Sequence, residues 1–195
     1  EMQIACRVYG QQIGMQKMRT ILPEEIDVFL NSAVVEKIRQ ILGTNVNAQF
    51  ADKVSIQQNH ISPINFVRTL IKDKTLTIEN NKATIPNDIQ LMYILGAVVD
   101  GHKARFIEPT EIELVKNDFC NSPSKEYPIF TFINNSIEVY NGESNIKNVY
   151  LNYIETPAKI NAETDCNLPE YTHDEIVQYA VNKYFASLNN TKTVN

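Results

Sequence analysis

Apolar positions recur at helical spacing near both ends of the chain and alternate with polar ones through its middle. Ile26, Phe29, Leu30, Ala33, Val34, Ile38, Ile41 and Leu42 fall three and four residues apart, the pattern of an amphipathic helix with one buried face. Pro23, Glu24 and Glu25 suit its first turn, where a missing amide is harmless and carboxylates meet the positive end of the helix dipole. Gly43 supplies the expected stop. A second strong helix is predicted over residues 172–188. Ile176, Ala180, Tyr184 and Leu188 make one apolar row, Val177, Val181 and Phe185 the row beside it, and the face is expected to pack on the helix of residues 23–42. Thr172 followed by Glu175 predicts a capping box, with His173 exposed in the first turn. Residues 189–195 read as a loose polar tail. Residues 2–18 carry Ile4, Val8, Ile13 and Met15 in a weaker helical pattern, interrupted by Gly10 and Gly14, each costing about 1 kcal/mol against alanine. The Gln/Asn-rich residues 44–60 predict short helical pieces and loop, and Ser62-Pro63 starts a further helix whose buried side is Ile64, Phe66, Val67, Leu70 and Ile71.

After Lys72 the period changes from 3.6 to 2. Leu76 and Ile78 alternate with threonines, Asn80-Asn81 marks a turn, and Ala83-Thr84-Ile85 stops at Pro86, so a hairpin is predicted. Residues 89–99 hold a buried strand, Asp100-Gly101 a tight turn and residues 102–107 the returning strand. Residues 108–115 predict a short helix across the sheet, and residues 117–127 a loop. Strands follow at 128–133, 137–140 and 149–154, parted by Asn134-Asn135 and Asn141-Gly142, and Pro157 ends the last.

Helices, then about six strands with one short helix among them, then a helix predict an α+β fold. In this reading the N- and C-terminal helices pack as a bundle with an inserted antiparallel β-sheet or small β-sandwich subdomain. The division expected is a helical region over 1–72, an antiparallel β subdomain over 73–160, and a connector, closing helix and polar tail over 161–195 that packs with 1–72.

Composition narrows the chemistry. The chain has 195 residues, 43% of them hydrophobic and 21% charged, with a formal net charge of −5 and no Lys/Arg cluster. That is the balance of an ordinary globular protein, without the basic stripe of a duplex reader. The longest apolar run, over residues 89–99, is too short to span a bilayer, and no signal peptide is evident, so a soluble chain made in the cytoplasm is expected. Cys6, Cys120 and Cys166 are odd in number and far apart, which predicts free thiols. They raise a cysteine hydrolase as one reading, with His60, His102 or His173 as base, but no local motif joins a pair. Neither zinc nor EF-hand spacing, a P-loop nor a GxGxxG motif occurs, and Glu108, Glu111, Glu113 and Asp118 are interleaved with Lys103, Arg105 and Lys116, as on a solvated charged face. No cofactor, metal or catalytic residue is assigned. Tyr127, Phe130, Phe132, Tyr140, Tyr150 and Tyr153 crowd the β region as core, or as a partner-facing sheet.

A series of short stretches carries a resemblance. Val34-Val35-Glu36-Lys37-Ile38 ends a helix pair, Ile85-Pro86-Asn87-Asp88-Ile89 follows a hairpin, and Val149 to Ile154 runs into Glu155-Thr156-Pro157-Ala158-Lys159-Ile160 before Leu168-Pro169-Glu170-Tyr171 and the last helix. In that order they resemble the head-to-tail connector, or adaptor ring, proteins of short-tailed bacteriophages, including the crAss-like group. The resemblance implies a non-enzymatic virion protein that forms a homo-oligomeric ring of about twelve copies. It would join the portal protein to neighbouring neck or tail rings around the DNA channel, close to the genome but without sequence-specific contact. On that reading the loop and the tail are the candidate partner contacts, at Asn121, Lys125 and Tyr127, and at Asn190, Lys192 and Val194. The aromatic strands keep open a different class, a β-rich tail-associated module that binds a receptor or glycan.

Overall fold

Alternating burial along residues 71–155 builds one seven-stranded sheet in the computed structural model, which describes residues 1–14, 21–48, 65–142 and 146–190, with backbone alone at 43–48 and 189–190. The strands are β1 (Ile71–Thr77), β2 (Lys82–Thr84), β3 (Leu91–Val99), β4 (His102–Phe106), β5 (Ile129–Ile133), β6 (Ser136–Tyr140) and β7 (Asn148–Glu155), in the order β1-β7-β3-β4-β5-β6-β2. Every pairing is antiparallel except β4 with β5, which run parallel through Arg105↔Ile129 and Phe106↔Phe130.

This overturns the expected helical bundle with a small antiparallel sheet or sandwich inserted in it. The sheet is mixed, it is the larger element, and it curls until its two end strands meet at a turn, giving a nearly closed, barrel-like form. The reason lies in residues 107–128. A parallel neighbour needs a crossover long enough to bring the chain back to its starting end, and this segment, with its one-turn helix, is that crossover.

Tight turns set the register. Asn80-Asn81 and Asn134-Asn135 have both φ angles positive, at 51° and 64° and at 47° and 60°, and Asp100-Gly101 does the same at 49° and 86°. Those are the conformations of hairpin turns that match strand twist, and Asn, Asp and Gly reach them most readily. At Asn80-Asn81 the expected hairpin forms only one bridge, Glu79↔Lys82, before β1 departs to β7 and β2 to β6. The inward faces supply the barrel core, with Leu76, Ile78, Ile85, Phe130, Ile137, Val139, Val149 and Leu151 packed among the small Ala83, Ala97 and Ala104.

The chain divides into two units, Ile71–Thr156 and the combination of Glu1–Leu70 with Pro157–Asn195. In the second unit α1 (Met2–Gln12), α2 (Pro23–Ala48) and the C-terminal helix (His173–Asn190) share a core made by Ile26, Leu30, Ala33, Val34 and Ile38 of α2, Ile176, Val177, Ala180 and Val181 of the last helix, and Met2 and Cys6 of α1. Phe29 meets Tyr184 edge-on at 5.3 Å. Around that core Glu36 accepts from Tyr179 at 3.0 Å and pairs with Lys183 at 2.7 Å, while Lys37 pairs with Glu175.

Asn31 clamps the incoming connector at both backbone groups of Ile160, donating to its oxygen at 2.9 Å and accepting from its amide at 2.8 Å. Ile160, Leu168 and Thr172 are buried, so the Pro-Ala-Lys-Ile and Leu-Pro-Glu-Tyr stretches anchor the last helix. Tyr171 adds a hydrogen bond to the Asn65 oxygen at 2.7 Å.

Several local expectations change. α1 ends at Gln12, and Gly14 follows at φ 86°, in keeping with the interruption expected at the glycines; residues 15–18 of that pattern lie outside the described residues. Gly43 does not stop α2, which continues to Ala48. Thr172 sits in a short 3-10 turn and donates to the Pro169 oxygen at 2.6 Å, so it does not cap the last helix, and Glu175 turns to Lys37. His173 is half-buried against the Leu168 oxygen, and Phe185 lies exposed where the apolar row was expected to continue. The predicted pieces at 49–60 and the Ser62-Pro63 helix start lie outside the described residues.

The helical core makes a firm demand on Val181, which is 1% exposed. Val181→Asp places an unpaired carboxylate there and is expected to destabilise the helical unit by about 3 kcal/mol or more. Urea denaturation followed by circular dichroism checks this, and an unchanged helical transition would contradict the packing.

Candidate interaction surfaces

The crossover between β4 and β5 carries the most exposed apolar side chains. Its helix α3 (Ile112–Lys116) is fixed from below, because Ile107, Ile112 and Val115 pack with Ile129 and Tyr140 on the outer side of the sheet. With its inner face so committed, Leu114 is left 74% exposed, and beyond the helix Phe119 is 99% and Tyr127 73% exposed.

Hydrogen bonds hold the loop that presents them. Asp118 accepts from the Cys120 amide at 2.8 Å and from Asn121 Nδ2 at 2.7 Å, while Arg105 donates to the Asn121 oxygen at 2.9 Å. The Asn121 amide and the backbone bond from Cys120 hold the Asp118 carboxyl below its ordinary range. Ser124 accepts from the Tyr127 amide at 3.2 Å. Gly142, at φ 75°, lets the strand end pass close by, since a Cβ there would lie 2.8 Å from the Pro123 oxygen. Phe119 and Tyr127 are thus displayed by a built turn.

A polar row ties this region to the end of the sheet. Lys82 on β2 and Glu138 on β6 are directly opposed, and their side chains pair at 2.6 Å. Tyr140 donates to Glu138 at 2.6 Å, and the Lys116 ammonium of α3 stands 3.9 Å over the Tyr140 ring. Glu138 is 9% exposed. The Lys82 hydrogen bond first, and the Tyr140 hydroxyl second, hold its carboxyl below the usual value. Burial, with the neighbouring Glu138 behind it, pushes Tyr140 up to about 12.

In the helical unit, Ile4 and Val8 lie one turn apart on the face of α1 opposite buried Met2, Cys6 and Gly10, and Ile13 follows; all three are exposed. Cys6 lines an apolar crevice with Ile21, Ile26, Phe29, Ala180, Val181 and Tyr184. At ≈ 10 Å³ it has room for little more than one water. Burial, reinforced by Asp27, pushes the Cys6 thiol up to about 12, and burial likewise raises Cys166. Burial at both sites disfavours the thiolate, the nucleophilic form. Cys120 is exposed. Among the described residues no thiol hydrogen-bonds to a histidine, no cluster of three or more His, Cys, Asp or Glu is set to hold a metal, and no helix is long and apolar enough to cross a membrane. His60 lies outside them.

Of the candidate contacts, Asn121, Lys125 and Tyr127 are exposed on the crossover loop. Asn190 ends the last helix, with only its backbone described, and Lys192 and Val194 lie outside the described residues. Sequence reasoning missed Leu114, Phe119 and the outer face of α1. The available signal was an isolated Phe119 flanked by Asn117, Asp118 and Asn121, where no period gives an aromatic side chain a core to enter. Comparison with protein-family models and with curated proteins finds no match for this chain.

The Lys82–Glu138–Tyr140 row predicts how the sheet responds to pH. Because the folded Glu138 pKa is lowered, its contribution is complete above the ordinary value of 4.5 and is lost as pH falls through the folded value. For Tyr140, raised from 10.0 to about 12, stability is lost as pH rises across that interval. Glu138→Gln is expected to lower the melting temperature at pH 7 and to flatten its fall in acid; an acid limb as steep as the parent's would contradict the assignment.

Proposed function

We propose that this protein is a structural subunit of a bacteriophage neck, a non-enzymatic ring component that joins the portal to the tail around the DNA channel. The observation that carries the reading is the placement of exposed apolar side chains on two different elements, one in each unit: Ile4, Val8 and Ile13 on and just after α1, and Leu114, Phe119 and Tyr127 on the crossover. Scattered apolar residues are normal on any surface, but large side chains held out by a hydrogen-bonded turn favour a partner. A head-to-tail ring uses two unlike surfaces on each subunit, and two separate elements meet that requirement. The sequence resemblance adds the phage setting, with a portal and neighbouring rings as partners and the virion as location. A net charge of −5 suits a channel past which DNA slides without being held.

The second reading, a β-rich module that binds a glycan or receptor, draws on the outer face of β7. There Tyr150 hydrogen-bonds Asp73, next to Asn152 and the open backbone of Gly96. An aromatic ring beside a carboxylate and an amide is a reasonable sugar platform.

The two are separated by giving the purified protein first to portal assemblies, followed by cryo-EM, and then to a glycan array. A symmetric ring docked on the portal is the expected result. A protein that stays monomeric with portal present and binds glycans would overturn the ring reading.

A further inference from the structure

Among the described residues the sheet has one long open edge, and its chemistry specifies what can pair with it. β1 pairs with β7 in unbroken register from Ile71↔Ile154 to Thr77↔Asn148. Along its other edge no strand pairs with it among the described residues, apart from the Glu79↔Lys82 bridge beyond its end. Lys72, Asp73, Lys74 and Thr75 are all exposed, so both faces of the strand meet solvent.

Two other open stretches are unsuited to pairing. Residues 91–96 of β3 extend beyond its ladder with β4, but register shifts against β7 leave Met92 and Leu95 as bulged residues, which twist an edge away from a regular partner. β2 has only three residues.

The side chains of β1 narrow the occupant further. Lys72 and Lys74 belong to the face that carries buried Leu76 and pairs with Tyr153 and Leu151, the core side of the sheet. Neither lysine takes part in an ion pair among the described residues. Asp73, on the opposite face, is engaged with Tyr150. Lysines directed inward on an edge strand repel an apolar or basic strand, which is a common guard against aggregation. They admit a strand that brings carboxylates to the same two positions.

We propose that the open edge of β1 binds an extended segment of a partner protein, with acidic residues at alternate positions against Lys72 and Lys74 and an apolar residue beside Leu76. Backbone hydrogen bonds along the edge supply affinity, and the alternate side chains supply selectivity. The inference does not depend on the ring reading.

The probe is a fluorescent peptide about eight residues long in which glutamate alternates with threonine and valine near its centre. Controls replace its glutamates by lysine or its central residues by proline, which removes the amide donors. Anisotropy measures binding, and amide chemical shifts of the full chain locate it. The acidic peptide is expected to bind at residues 71–77, with weakening by salt, and neither control to bind. K72E/K74E is expected to weaken the acidic peptide by at least about tenfold and to admit the lysine peptide. Both substitutions are at exposed side chains, so the melting temperature should not move.

No binding by the acidic peptide, equal binding by the lysine peptide, or shifts away from β1 would overturn the proposal. Self-association of the protein alone that K72E/K74E abolishes would assign the edge to a second copy and overturn it as well.

Discussion

A sheet that curls toward closure has to bring its end strands together, and here one two-residue turn does so. Asn80 and Asn81 link β1 and β2, the opposite ends of the sheet order, and both adopt positive φ. The turn is sewn into the neighbouring strands on either side: the Ile78 amide donates to the Lys147 oxygen at 2.9 Å, and the Val139 amide to the Asn81 oxygen at 2.8 Å. Leu76, Ile78, Ala83 and Ile85, spaced around it, are all buried in the barrel core. Closure at this end leaves the strands free to diverge at the other, and the open edge of β1 is the result. The same economy of pairing shows in β4, which pairs with β3 from His102 to Ala104 and with β5 from Arg105 to Phe106.

Legibility in the sequence followed the range of the interaction. Asn80-Asn81, Asp100-Gly101 and Asn134-Asn135 were readable because their conformation is decided by the residues themselves. The buried rows of α2 were readable because a helix face has a fixed period. Strand partners were not, since nothing local tells β4 that its next neighbour will be β5 in parallel. That depended on recognising residues 107–128 as a crossover, and a one-turn helix there looked like decoration on an antiparallel sheet. Strong helical patterns at both ends also suggested a bundle as the main body. Gly43 and Thr172 show a related limit: each has a clear local preference, and a neighbouring helix or buried turn overrode it. For the candidate contacts, the expectation that a loop orders on docking pointed to Asn121, Lys125 and Tyr127. The apolar Leu114 and Phe119 became visible only once the inner face of α3 was seen to be occupied.

On the readings proposed above, these surfaces would recognise partners in physically different ways. Phe119, Leu114 and Tyr127 offer desolvation of large side chains on a preorganised loop, a short-range contribution that is little affected by salt. Lys72 and Lys74 beside an open backbone edge offer direction and charge, with an ionic-strength dependence of their own. The acid–base row of Lys82, Glu138 and Tyr140 lies at the far end of the sheet order and fixes β2 to β6, so the hairpin turn is held by side chains as well as by the ladder.

Amide hydrogen exchange resolved by residue tests the central claim, a barrel-like sheet closed at one turn and open along β1. Strand β7, paired on both sides, should be protected throughout, whereas β1 should show protection at every second amide from Ile71 to Thr77, those facing β7. Slow exchange at every β1 amide in the isolated protein would mean that its edge is already covered, and would contradict the account.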